Sequence, residues 1–192
     1  MKIEIWSDIA CPWCFIGKRR FEKALEKFEH KDQIDVQWRS YQLDPTLPAH
    51  YDGTETEYLS QMKGMPQDQV RQMFAHVTEQ AAGEGLDYDF DKIVVANSFT
   101  AHRFLHLAKA HNLDAQAKEA LLSGHFEHGE DIGDVEYLVR TGVVLGLNEA
   151  EIRESLEGDK TVWQDMSGGL DNIVIGKFVM PSRAYLGRFN FK

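Results

Sequence analysis

The sequence predicts an α/β protein made of a βαβ unit, a large all-helical insertion and a strand-forming C-terminal part. Three observations carry this. Apolar residues alternate in "KIEIW" (2–6) and in "QIDVQWRSY" (33–41), with a helical stripe between them. From about residue 55 to 158 apolar residues recur at helical spacing. Near the end, "NIVIGKFVM" (172–180) is apolar and β-branched enough for a strand, which Pro181 breaks.

Each element has its own signal. Ile3 and Ile5 mark the first strand, and Ile34, Val36 and Trp38 share one face of the second. Between them, residues 12–29 read as a helix whose Phe21, Ala24, Leu25 and Phe28 fall on one stripe. Strand, helix and strand in close succession predict a parallel pair. "DPTLPAHYDG" (44–53) is a turn-rich linker into the insertion. There, Val70, Met73, Phe74 and Val77 form a stripe behind Pro66 in a first-turn position. Ala101, Phe104, Leu105 and Ala108 form another, capped by Asn97 or Ser98. "DVEYLVRTGVVLGL" is a third helix, stopped near Gly146, and "NEAEIRESLEG" a fourth, with Asn148 and Glu151 at capping-box spacing. Core packing accounts for these stripes. The boundaries are thus 1–43 for the first half, 44–160 for the insertion and 161–192 for the C-terminal part.

Composition narrows the class. Hydrophobic residues make up 43% and charged residues 27%, ordinary for a globular protein with a real core. A net charge of -10 argues against gripping nucleic acid. "GKRR" (17–20), the densest basic cluster, reads as the solvated side of a helix. No apolar run approaches bilayer length, and the N-terminus lacks a secretory pattern. Two cysteines in 192 residues are too few for a stapled secreted scaffold, so the expected compartment is the cytoplasm.

Those two cysteines, in "DIACPWCFIGKRRF" (8–21), raise the main question. Pro12 suits the first helical position, which puts Cys11 against free backbone N–H groups and the positive end of the helix dipole. Both favour the thiolate that attacks disulfides. Cys14 lies three positions on, on the same face, within reach of the Cys11 sulfur and more shielded beside Phe15. This gives a cycle of attack by Cys11, a mixed disulfide, and resolution by Cys14. Trp13 offers an apolar surface but no charge, so a milder oxidant than a Cys-Pro-His-Cys site is expected. Two other readings stand beside this one: a pair of small buried hydrophobes, and half of a zinc site. Zinc needs further ligands; His102 and His106 are suitably spaced, but nothing in the sequence brings them to Cys11. His125 and His128 read as a solvated helix end, and Asp8 and Glu4 as exposed or capping acids. No metal is assigned.

"SDIACPWCFIGKRRFEKAL" resembles the active-site segment of DsbA-like thioredoxin-fold proteins of the FrnE type. Their superfamily includes 2-hydroxychromene-2-carboxylate isomerases and kappa-class glutathione transferases. "NSFTAHRFLHLAK" (97–109) resembles that family's Asn-Ser/Thr-x-x-Ala-His-Arg segment, and the likeness extends over about residues 1–160. It implies a thioredoxin-like fold interrupted by a helical domain that roofs the active site. It also implies dithiol–disulfide oxidoreductase or isomerase activity, with Cys11 and Cys14 catalytic, Pro12 and Trp13 modulating them, and Asn97, Ser98 and His102 as cleft residues or as cap and packing groups. Related transferases and isomerases carry serine in place of Cys11 and use the thiol of glutathione. A glutathione-dependent transferase or isomerase is therefore a second reading, and a chaperone-like binding module a third. No cofactor beyond the redox-active disulfide is implied, with glutathione as an eventual co-substrate. The partners would be protein or low-molecular-weight thiols and disulfides.

The tail departs from the family, whose members follow the helical domain with a cis-proline segment, a hairpin and a closing helix. Pro181 is the one residue that fits the cis-proline, but Met180 and Ser182 do not match the usual flanks. No closing helix is legible, so the expectation is a C-terminal part that is truncated or read in a shifted frame. A homodimer would then cover exposed core.

Overall fold

The computed structural model describes residues 1–49, 51–157, 172–175 and 178–181, the last two stretches as backbone only. Strand β1 (Lys2–Ser7) leads into helix α1 (Pro12–Glu26), and a short 3-10 turn precedes strand β2 (Asp35–Ser40). β1 and β2 pair in parallel, Lys2 opposite Asp35 through Ser7 opposite Ser40, as the βαβ reading requires. Seven helices follow the chain in all among the described residues, and six belong to the insertion: α2 (Glu55–Lys63), α3 (Gln67–Ala82), α4 (Phe99–Ala110), α5 (Asp114–Ser123), α6 (Val135–Val144) and α7 (Glu149–Glu157). β3 (Asn172–Ile175) and β4 (Phe178–Pro181) make a separate antiparallel pair.

Local chemistry explains most boundaries. Pro12 occupies the first helical position of α1. Thr54 and Glu57 form a capping box at α2, and Gly64 ends it with φ 63°. Asp134 accepts from the amides of Glu136 and Tyr137 at α6. Asn148 accepts from those of Ala150 and Glu151 at α7. Pro66 stands one position earlier than expected, as the N-cap of α3.

Three sequence expectations need correcting. First, residues 83–98 are not helical. This stretch crosses the core as irregular chain and buries Leu86, Tyr88, Ile93, Val95 and Ala96. Leu86, Tyr88, Ile93 and Ala96 join the common core from irregular chain, so their spacing does not report a helix. Second, "GKRR" is a docking face. Lys18 is 5% exposed and lies 2.6 Å from both Glu22 and Glu119. Arg19 also reaches Glu119 of α5, and Arg20 and Lys23 meet Glu84. Third, the α1 stripe is less covered than expected, and Phe28 lies beyond the helix end, 46% exposed.

The core belongs mainly to the insertion. Phe104, Leu121, Leu122, Phe126, Leu138 and Ile152 are fully buried there, joined by Ile9, Phe15 and Ile16 from the βαβ unit. Between α5 and α6 the chain makes one π-helical turn, Gly124–His128, closed by Gly129 at φ 71°. A Cβ on Gly129 would stand 2.6 Å from the Lys92 carbonyl oxygen. Gly129→Ala combines left-handed strain with a clash against backbone, and should cost about 2 to 3 kcal/mol of unfolding free energy. Urea titration against wild type measures it; a loss below about 0.5 kcal/mol would show that this turn adapts freely.

Among the described residues, no helix is long and apolar enough to cross a membrane. Pro181 closes β4 opposite Asn172. Its side chain, its expected cis-proline role and the expected incomplete end lie outside the described residues.

Candidate active site

The two cysteines sit where α1 begins. Cys11 is the N-cap, with extended φ -103° and ψ 109°, and its carbonyl accepts from the Cys14 amide at 3.0 Å. Both thiols are free and half-buried. The Tyr88 hydroxyl fixes the turn from outside the βαβ unit by donating to the Pro12 carbonyl at 2.7 Å. Tyr88 stacks in turn on Phe15 and Phe126, so the helix start is pinned to the insertion core.

Cys11 opens onto a cavity of about 440 Å3, and Cys14 does not line it. Pro12 and Trp13 form one wall, the 43–47 connector a second, and α2 and α3 the roof. Trp13 is 46% exposed, and its ring lies 6.2 Å from that of His76. Phe74 and Phe90 stack at 4.1 Å at the back.

The two neighbouring thiols shift each other's titration in opposite directions. The neighbouring Cys11 thiol pulls Cys14 down to about 6 against its burial, helped by the Asp8 amide and the Lys118 ammonium. The same contact pushes Cys11 up, as do its burial and the Cys14 charge, while the Cys14 amide opposes them. With Cys14 down and Cys11 up, the pair gives up its first proton more readily than a free thiol. The Cys14 amide at the start of α1 favours charge on Cys11, while the Asp8 amide and the Lys118 ammonium favour it on Cys14. The sulfur that lines the cavity is thus the one shifted up, and its neighbour the one shifted down.

Behind Cys14 lies a buried polar layer. Lys118 is 3% exposed, its Nζ 4.9 Å from the Trp38 ring centroid. Burial pulls its ammonium down to about 8, although Cys14 and Asp8 hold it up. Asp8 is 1% exposed, so it is no surface or capping acid. Its Oδ1 accepts from His102 Nε2 at 3.0 Å and its Oδ2 from the Leu43 amide at 2.6 Å. Glu4, the other acid considered, pairs with Arg39 instead.

The remaining sequence-predicted residues divide. Ser98 lines the cavity and bonds Asp8. His102 sits behind Asp8 and away from the cavity. Asn97 stands just before Ser98, the N-cap of α4; it accepts from the Phe99 amide at 2.9 Å and ties down the connector by donating to the Leu47 carbonyl at 2.6 Å. His106 bonds Ser40 at 3.2 Å, so the two histidines weighed for zinc serve separate contacts. Among the described residues no cluster of three or more His, Cys, Asp and Glu side chains forms that could hold a metal. His125 is fully buried where a solvated helix end was expected. The π turn rotates it inward, and burial holds it near 4, hence neutral. Lys118, Tyr88 and Glu55 were not singled out from the sequence, and His125 only as part of a solvated helix end. Only "GHFEHG" carried a trace, as two glycines around a short polar-aromatic run.

Residues 2–164 match the DSBA-like thioredoxin domain family. The chain is a member of the DSBA-like thioredoxin family. Its fold is the thioredoxin-like DsbA fold with the helical insertion described above. The crystal structure of a probable DsbA oxidoreductase, SCO1869 from Streptomyces coelicolor, is similar with a TM-score of 0.82 and 31% identity, over 99% of this chain and 88% of that one. The uncharacterized protein YwbO of Bacillus subtilis is 26% identical over 159 residues, 81% of this chain and 71% of its own length. A different relationship covers a short stretch: 42 residues, 22% of this chain, are 60% identical to the energy-dependent translational throttle protein EttA of Escherichia coli. That is 8% of EttA's length, and no activity transfers with it. Membership of the DSBA-like family supports redox or isomerase activity in general terms.

Proposed function

We propose that the protein is a cytoplasmic thiol–disulfide oxidoreductase or isomerase in which Cys11 is the nucleophile and Cys14 the resolving thiol. One observation carries this reading: Cys11 alone of the pair lines the cavity, while Cys14 collects the groups that hold a negative charge. In the first step Cys14 takes the Cys11 proton as the Cys11 sulfur attacks a substrate disulfide. A Cys11–substrate disulfide forms, and the first substrate thiolate leaves. Cys14 then passes its proton to that leaving thiolate and attacks the Cys11 sulfur, which expels the second thiolate. The protein dithiol is oxidised and the substrate disulfide reduced; the reverse sequence oxidises a substrate dithiol. The disulfide itself is the redox group, and no other cofactor is needed. Substrates are protein or low-molecular-weight thiols and disulfides.

A redox titration in glutathione buffers, with thiols counted after alkylation and mass spectrometry, tests the reading. Both cysteines should convert together in one two-electron transition, and the midpoint fixes the direction of electron flow. Independent oxidation of the two thiols, or no reversible bond between them, would leave a binding module or a glutathione-dependent isomerase as the function.

A further inference from the structure

We propose that the cleft beside Cys11 selects low-molecular-weight disulfides that join an apolar body to an ammonium group, with Glu55 as the group that reads the charge. This rests on the oxidoreductase reading and narrows its substrate. At about 440 Å3 the cavity has the size of a small-ligand site. Its walls are mostly apolar, with Leu43, Leu59, Met62, Met73 and Phe90 among the lining residues beside Trp13.

The charges around it are unequal. Asp8, Asp44 and Glu55 line the cavity against one lysine, Lys63. Asp8 is occupied by His102 and the Leu43 amide. Asp44 is occupied by the Tyr58 hydroxyl at 2.7 Å and by Thr46. Glu55 has no hydrogen-bond or ion-pair partner among the described residues. Lys63 stands eight residues further along α2, about 12 Å by helical rise, and is exposed at the rim. The other titratable groups facing Glu55 are Tyr58 of its own helix, Cys11 across the cleft and neutral His125. None of them neutralises it.

An unpaired carboxyl in an apolar wall is costly unless a ligand pairs with it. Burial alone pushes Glu55 up to about 7, so it is part-charged near neutrality and would be held ionised by an arriving cation. An acidic disulfide such as oxidised glutathione meets repulsion there. The exchange itself is unchanged: the Cys11 sulfur bonds to one ligand sulfur, Cys14 completes the protein disulfide, one ligand half leaves as a thiol with the single proton of the dithiol, and the other leaves as a thiolate that takes its proton from solvent.

Three disulfides of similar size and different charge make the test: cystamine, bis(2-hydroxyethyl) disulfide and 3,3′-dithiodipropionate. Reduced full-length protein is mixed with each, oxidation is followed by tryptophan fluorescence, and each rate is divided by that of free dithiothreitol to remove intrinsic reactivity. Cystamine should exceed the neutral disulfide by about three- to five-fold, and the dianion should fall below it. In Glu55→Gln the cystamine-to-dianion ratio should drop by a similar factor. In wild type the same ratio should fall as pH is lowered through about 7; the attacking thiolate is common to both rates and cancels. Equal normalised rates, or a ratio indifferent both to the substitution and to pH, would overturn the proposal. Oxidation by none of the three, the neutral one included, would instead overturn the oxidoreductase reading.

Discussion

Cys14→Ala, reduced and mixed with a small disulfide, should accumulate as a mixed disulfide on Cys11, while Cys11→Ser should accumulate none. In the native pair the second thiol resolves the adduct without diffusing, an advantage equivalent to a very high local concentration. Without it, release waits for an external thiol, and turnover should fall by at least about 100-fold. The pH dependence of adduct formation separates two origins of reactivity. If the helix N-terminus alone ionised Cys11, the midpoint would be the same in both proteins. In the proposed cycle Cys14 instead accepts the Cys11 proton, which gives a wild-type midpoint near 6. Removing Cys14 also removes the largest influence holding Cys11 up, but leaves its burial and the Asp8 charge, both of which disfavour the anion. The midpoint in Cys14→Ala should therefore rise from about 6 toward or above the free-thiol value of about 8.5. A midpoint that stays near 6 would return the anion to the helix tip.

What the sequence could reveal follows from the range of each interaction. The βαβ unit was legible because its signals are local: alternation at Ile3, Ile5, Val36 and Trp38, and Pro12 opening a helix. The stripes of α3, α4, α6 and α7 were legible for the same reason. α5 was not singled out, since its Ala-rich run has little one-sided character. Residues 83–98 were misread because periodicity cannot tell a helix from irregular chain that happens to bury Leu86, Tyr88, Ile93 and Val95. The cysteines were found at once, and their charge distribution was not. It depends on Lys118 in α5, which lies 104 positions beyond Cys14. His125 was hidden by the π turn, which breaks the spacing that places a side chain on a helix face. Asp8 had no local signal, because its partners come from distant segments.

Those partners make Asp8 the residue whose loss should most affect stability. It joins the β1–α1 loop, the connector after β2 and the start of α4, through Leu43, His102 and Ser98. Asp8→Ala would strand the Leu43 amide and His102 Nε2 in the interior, beside His102 Nδ1, which already has no partner among the described residues. Leaving buried donors of this kind without an acceptor costs about 1 to 3 kcal/mol each. Burial pushes the Asp8 carboxyl up, but the His102 bond and charge, the Leu43 amide and Ser98 outweigh it, and its pKa lies below the ordinary 3.8. A carboxyl whose folded pKa is depressed contributes fully above its unfolded value and loses that contribution as pH falls through the folded one. Chemical denaturation should therefore show the Asp8→Ala deficit at full size at pH 6 to 7 and shrinking toward zero only in acid, below about 4. Asp8→Asn separates charge from shape. Its carboxamide oxygen can keep one acceptor while its NH2 group faces the second donor, so it should recover part of the loss at neutral pH. A deficit under about 1 kcal/mol in both variants would mean that solvent or a shifted side chain satisfies Leu43 and His102, and that the three segments hold together without this carboxylate.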